Sequence, residues 1–155
     1  MQEIERKFLV KSEEWRALAS RKYYKQGYLS RHKERTVRVR IAEENAFLTI
    51  KGKSVGATRA EFEYSIPVGE AQMLLDNLCE KPLIEKYRYT LAYEGFTWEI
   101  DEFLGDNEGL IVAEIELPAE DTPFALPTWT GEEVTHDARY YNSNLSEHPY
   151  KQWTK

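Results

Sequence analysis

Charged and apolar residues alternate one for one along much of this chain, the period of β-strands with two unlike faces. Residues 3–10 place Glu3, Glu5 and Lys7 on one face and Ile4, Arg6 and Phe8 on the other. Residues 36–41 set Arg38 and Arg40 against Val37, Val39 and Ile41, and residues 47–53 set Lys51 and Lys53 against Leu48 and Ile50. Residues 59–66 align Arg59, Glu61 and Glu63 against Phe62, Tyr64 and Ile66. Three later strands follow suit: Lys86 and Arg88 in 85–91, Glu99 and Asp101 in 96–103, Glu114 and Glu116 in 111–117. Residues 23–30 form a tyrosine-rich strand in which Gly27 marks a bulge or a close approach. Helical spacing is confined to two places before the tail. Residues 12–19 read as a short helix with Ser12 as N-cap, and residues 70–78 as a better one with Ala71, Leu74, Leu75 and Leu78 on one face. In the tail, 131–137 reads as a loop leading into a short helix over 137–145.

The charges make these strands unusual. Two carboxylates two residues apart on a strand lie about 6.6 Å from each other. At an effective dielectric near 20 they repel by about 2.5 kcal/mol, against about 0.6 in open water. Confining Glu3 and Glu5 therefore requires a cation between them, a basic neighbour, or full solvation. A solvated polar face is the ordinary reading of any one such strand. Seven strands with clusters largely of one sign argue otherwise, because solvated faces mix their charges. The aligned positions supply eight bases (Lys7, Arg38, Arg40, Lys51, Lys53, Arg59, Lys86, Arg88) and eight acids (Glu3, Glu5, Glu61, Glu63, Glu99, Asp101, Glu114, Glu116). Eight strands closed into a barrel leave room for one small ligand. A balanced set of charges is tolerable in that interior. The acids suit a hard divalent cation and the arginines an anion, and a polyphosphate complexed with Mg²⁺ or Mn²⁺ needs both.

Composition narrows the field. At 155 residues the chain is long enough for one domain with a substantial core. A net charge of −6 and a pI near 5.2 argue against nucleic acid as a partner. No apolar run approaches membrane-spanning length and no signal peptide opens the chain, so a soluble cytoplasmic protein is expected. The single Cys79 reads as a buried spectator thiol in a reducing compartment. His32, His136 and His148 read as surface residues without metal-ligand spacing, and the four tryptophans as outer-layer packing. No nucleophile–histidine arrangement or phosphate-binding glycine loop stands out.

The segment Glu3-Ile4-Glu5-Arg6-Lys7 matches the ExExK signature of the CYTH proteins, or triphosphate tunnel metalloenzymes. The similarity extends over nearly the whole chain, through Arg38/Arg40, Lys51, Glu61/Glu63, Lys86/Arg88, Glu99/Asp101, Glu114/Glu116 and the segment Asp137 to Asn142. A lone ExExK is weak, since surface strands produce it by chance; the ordered set is specific. The resemblance implies a mainly β, α+β fold: an eight-stranded antiparallel barrel with a few flanking helices. It implies a tunnel that hydrolyses or transforms triphosphates with one or two divalent metal ions. The short chain, with Gln26-Gly27-Tyr28-Leu29 in its second strand, is most similar to the small bacterial tripolyphosphatases. Class IV adenylate cyclases typically carry a His-Phe pair that is absent here. Thiamine triphosphatase, ATP cyclisation and noncatalytic polyphosphate binding are the rival activities. Small bacterial members are often homodimers.

On this resemblance Lys7, Arg38, Arg40, Lys51, Lys86 and Arg88 grip the phosphates, and Glu3, Glu5, Glu114 and Glu116 hold metal. Glu61, Glu63, Glu99 and Asp101 either touch metal or water or balance nearby cations. Lys53 and Arg59 belong at the tunnel mouth or on its surface, and Arg139 approaches the tunnel or forms a structural ion pair. Tyr28 either contacts substrate or, the preferred expectation, packs outward in the core.

Overall fold

In the computed structural model, which describes residues 2–153, nine strands carry the chain. They are β1 (Gln2–Val10), β2 (Ser20–Ser30), β3 (Arg35–Ala42), β4 (Asn45–Gly52), β5 (Thr58–Ile66), β6 (Glu80–Tyr93), β7 (Phe96–Phe103), β8 (Ile111–Glu116) and β9 (Thr130–Glu133). Two helices, α1 (Val68–Asn77) and α2 (Asn142–Glu147), join them. The hydrogen-bonded order β5-β4-β3-β2-β6-β7-β8-β1 closes on itself where β1 returns to β5, and every pairing is antiparallel. The result is the expected closed eight-stranded barrel, plus one strand. Closure joins the two edges of the sheet, with residues 58–60 of β5 taking part. The seam is short: Gln2, Glu3 and Ile4 face Ala60, Arg59 and Thr58, and farther along β1 its partners are Glu133 and Thr130 of β9. Two-residue turns set the register at β3–β4 and β6–β7. At the latter Glu94 and Gly95 both take positive φ (48° and 83°), the arrangement that matches strand twist.

The apolar side chains of the alternating strands face outward and are covered in sectors. Over β1, β6, β7 and β8, Phe8, Tyr89, Leu91, Trp98, Ile100, Ala113 and Ile115 pack with Trp15, Leu117, Phe124 and Trp129. Over β2, β3 and β4, α1 lays Ala71 and Leu75 against Val39 and Ala46, with Cys79 buried beside them. Gly27 lies under this layer: a Cβ there would meet Leu83 at 2.6 Å, so the close approach requires glycine. On β4 and β5 Ile50, Phe62 and Tyr64 remain 37%, 44% and 55% exposed, so the outer cover is incomplete.

The inward faces change character along their length. Glu3, Glu5 and Lys7 are followed in phase by Leu9, Arg88 and Lys86 by Ile84, Glu99 and Asp101 by Phe103, and Glu116 and Glu114 by Val112. These apolar inward residues, with Tyr28, form one cluster with Val134, Tyr140, Leu145, Tyr150 and Trp153 of the C-terminal segment. That segment stoppers one end of the barrel with these five side chains, full burial of each being worth on the order of 1.5–3 kcal/mol.

Four local expectations are corrected. Residues 12–19 hold only a 3-10 turn (Glu14–Ala17), and Ser12 caps no helix; its hydroxyl donates to Glu14 instead. The supposed loop at 131–137 contributes to β9, because its backbone completes the edge of β1 that β5 leaves open. The expected helix at 137–145 is a 3-10 turn (Ala138–Tyr140) followed by α2. Trp153 packs in the stopper against Tyr140 and Tyr150, away from the outer layer that holds the other three tryptophans.

Candidate active site

A cavity of about 260 Å³ occupies the charged part of the barrel, at the small end of the range for ligand sites. Its walls include Glu3, Glu5, Lys7, Arg38, Arg40, Lys51, Arg59, Glu61, Glu63, Arg88, Glu99, Glu114 and Glu116. Thr135, Tyr141, Asn142 and Ser143 close it on the stoppered side, and Ser54, Gly56 and Ala57 of the β4–β5 loop border it too.

One wall is cationic. Arg88 donates to both Asp101 oxygens, from Nε at 2.8 Å and Nη2 at 2.8 Å, while Lys86 Nζ donates to Asp101 Oδ2 at 2.7 Å. Burial pushes the Lys86 ammonium down to about 7, with Asp101 opposing the shift. Burial acts on Asp101 in the upward sense, yet Arg88 and Lys86 hold its carboxyl down at about 2. Arg40 is driven down to about 9, first by burial and then by its like-charged neighbours Arg38 and Arg88. Arg40 and Arg88 share one aromatic ring, their guanidinium carbons 4.9 and 5.1 Å from the Tyr24 ring centre. Arg38 reaches Thr49 Oγ1 at 3.2 Å and Glu63 at 3.7 Å, but its buried Nε has no hydrogen-bond partner among the described residues. Three arginines thus face one space, and Arg40 alone of them has no carboxylate within ion-pair distance among the described residues.

The opposite wall is acidic and partly compensated by lysine. Lys7 Nζ lies 2.8 Å from both Glu5 and Glu114, which raises its pKa despite burial. Burial alone would raise Glu5 and Glu114, but both end lowered through Lys7 and other cations. Lys51 donates to both oxygens of Glu3, at 2.8 and 3.0 Å, and approaches Glu61 at 3.5 Å. Of the three answers to the Glu3/Glu5 repulsion, the structure uses basic neighbours. Glu116 differs: it makes no ion pair among the described residues. Burial and then Glu3, Glu61, Glu5 and Glu99 raise its pKa. Glu99, raised mainly by burial, approaches Arg88 at 3.3 Å.

Several expected site residues lie elsewhere. Lys53 is exposed and does not border the cavity, because β4 ends at Gly52 and the alternation stops there. Arg139 is exposed on a 3-10 turn, where it pairs with Asp137 at 2.7 Å and stacks 5.0 Å from the Trp153 ring, outside the cavity. Lys86 and Asp101 sit behind the wall, 0% and 1% exposed, bonded to each other. Tyr28 points inward, contrary to expectation: it pairs with Arg38 across β2–β3, shares that residue's face and borders the cavity. The pattern of charges gives no site role to Gln26, Thr36, Thr49, Thr135, Tyr141 or Asn142, which the fold brings to the cavity or its wall. Parity gives a signal for three of them, Gln26 in phase with Tyr28, Thr36 with Arg38 and Arg40, and Thr49 with Lys51, while Tyr141 and Asn142 lie in the matching segment 137–142.

Known proteins resemble this one over nearly its full length. Inorganic triphosphatases of Acetivibrio thermocellus and Nitrosomonas europaea are 56% and 36% identical, covering 96% and 94% of this chain and 96% and 97% of their own. A crystal structure of an inorganic triphosphatase superposes with a TM-score of 0.65 at 34% identity, over 92% of this chain and 96% of the other. The CYTH domain model matches residues 1–148, and with these relatives it places the chain in the CYTH family.

Proposed function

We propose that the protein hydrolyses inorganic triphosphate to pyrophosphate and phosphate. One observation carries the reading: Arg38, Arg40 and Arg88 crowd a single small cavity, with Arg40 depressed by burial and then by its like-charged neighbours, and with Arg38 Nε unpartnered among the described residues. An anion with several charges relieves both features, and a linear triphosphate offers enough oxygens to meet three guanidinium groups. Arg59, 3.1 Å from the Gly52 carbonyl and 3.3 Å from Thr36, extends this surface toward Glu3.

The donor set fits a hard divalent cation such as Mg²⁺ or Mn²⁺, because Glu116 sits among four carboxylates with no counter-charge of its own among the described residues. Glu3, Glu5, Glu114 and Glu116 would hold it, with Lys7 and Lys51 yielding their present carboxylate contacts to phosphate oxygens. When bound, such an ion neutralises phosphate charge and acidifies an attacking water. The chain itself fixes the phosphates in line through Arg38, Arg40 and Arg88, and phosphoryl transfer asks little more of a protein than positioning and charge. Among the described residues no helix is long and apolar enough to cross a membrane.

The test is phosphate release by purified protein from tripolyphosphate, ATP and thiamine triphosphate with Mg²⁺ or Mn²⁺, with cyclic AMP measured separately. Tripolyphosphate turned over fastest, without cyclic AMP, supports the reading. Preference for ATP or thiamine triphosphate overturns the substrate, and binding without turnover overturns the reaction.

A further inference from the structure

A chain of hydrogen bonds runs from Arg40 through the cationic wall to Lys86, by way of Gln26 and Asn142. Arg40 Nε donates to Gln26 Oε1 at 3.0 Å, and Gln26 Nε2 donates to Asn142 Oδ1 at 3.2 Å. Asn142 Oδ1 also accepts from Lys86 Nζ at 3.0 Å, and Lys86 shares Asp101 with Arg88. The direction of every bond is dictated from the two ends. Arginine and lysine can only donate, so Gln26 must turn its oxygen to Arg40 and its amide NH₂ to Asn142, which must present oxygen to both. Gln26 is 0% exposed and has both ends engaged. It has no freedom to serve the two cations in another arrangement.

We infer that Gln26 and Asn142 are positioning residues that hold Arg40 in register with Arg88 for the anion. Arg40 lies beside two other arginines, and repulsion favours its swinging away whenever no anion is bound. Gln26 and the face of Tyr24 hold it in place. Asn142 is the first residue of α2, which packs on β6 and β2 and buries Leu145 in the stopper. The C-terminal segment therefore does two things: it fills the barrel end, and it sets the far end of the relay. Neither residue needs to touch substrate for this.

The inference rests on the triphosphate reading, and the experiment separates the two. Steady-state kinetics on tripolyphosphate with Mg²⁺ are compared for the unaltered protein, Gln26→Met, Asn142→Ala and the double variant. Calorimetric titration of tripolyphosphate into the same proteins in a metal chelator, and thermal unfolding, accompany them. Gln26→Met keeps the volume and removes both bonds; Asn142→Ala removes the shared acceptor. Each is expected to raise KM and the chelator-measured Kd about tenfold, the usual cost of a hydrogen bond to a charged group, with kcat within about threefold. The double variant should be no worse than the poorer single, since either breaks the same chain. KM and Kd within twofold of the unaltered protein in both singles, fully multiplying effects in the double, or losses confined to kcat and melting temperature would each overturn the relay. An unaltered protein that fails to hydrolyse tripolyphosphate overturns the functional reading instead, while the chelator titration still judges the relay.

Discussion

On the cationic wall of the tunnel Arg88 and Lys86 share Asp101, and Arg40 leans on Gln26; on the acidic wall Glu116 has four carboxylates for company and no cation among the described residues. The first wall is finished in the folded chain. Its charges are spaced and oriented by groups behind them, so an arriving anion finds donors already in place. The second is unfinished: Lys7 and Lys51, two cations, pair with three of its carboxylates and leave Glu116 without a counter-charge among the described residues and raised in pKa. Preorganised cations and waiting anions suit a ligand that brings its own positive charge, as a metal-complexed triphosphate does.

The largest test of this contrast is catalytic. Glu116→Gln should reduce Mg²⁺-supported tripolyphosphate turnover by roughly a thousandfold, because an amide cannot supply the missing negative charge. Arg40→Ala should cost about 2–4 kcal/mol in kcat/KM, as for other charged groups that meet a transition state. Near-normal rates in both variants would mean that neither wall serves the reaction.

Stability should separate the walls in the opposite sense. Asp101→Asn leaves Lys86 and Arg88 buried beside a neutral amide and is expected to destabilise the fold by about 3–5 kcal/mol in urea unfolding. An effect under about 1 kcal/mol would mean that the cationic wall is not held from behind. The pH dependence follows from the same pair. The Asp101 carboxyl lies at about 2 in the fold against 3.8 when unperturbed, so its ionised form adds about 2 kcal/mol. That increment is complete above pH 3.8 and is lost as the pH falls through 2. Acid unfolding of Asp101→Asn should therefore show a shallower limb over this range than the unaltered protein.

The smallest effect is expected at Glu116. Neutralising it in Glu116→Gln relieves repulsion from Glu3, Glu61, Glu5 and Glu99, so metal-free protein should melt slightly higher than the unaltered chain. Millimolar Mg²⁺ should cancel the advantage by stabilising only the parent. A lower melting temperature without metal would show that Glu116 is already compensated.

The barrel is legible because its strands write alternation directly into sequence, and closure turns the charged face of each strand inward. Clusters of one sign mark which face is enclosed, and through them most of the cavity wall. What stays hidden follows from how the chain uses the same period for two purposes. Leu9, Ile84, Phe103 and Val112 are in phase with the charges and announce an apolar end to the tunnel, but each is an ordinary strand residue taken alone. Lys53 misleads because alternation does not reveal where a strand stops. Lys86 looks like a substrate ligand because its parity is correct; depth behind the wall is not a property of parity. Gln26 and Asn142 meet across 116 residues of sequence, a contact that only docking of the tail creates.

That docking also decides the traffic. With Tyr140, Leu145 and Trp153 packed into one end of the barrel, the tunnel is filled there among the described residues, and a ligand would reach the charged cavity from the other end, where Glu116 is exposed. A linear chain enters tip first, and after scission the outer fragment must depart before the inner one can follow. Order of departure is thus written into the shape of the barrel.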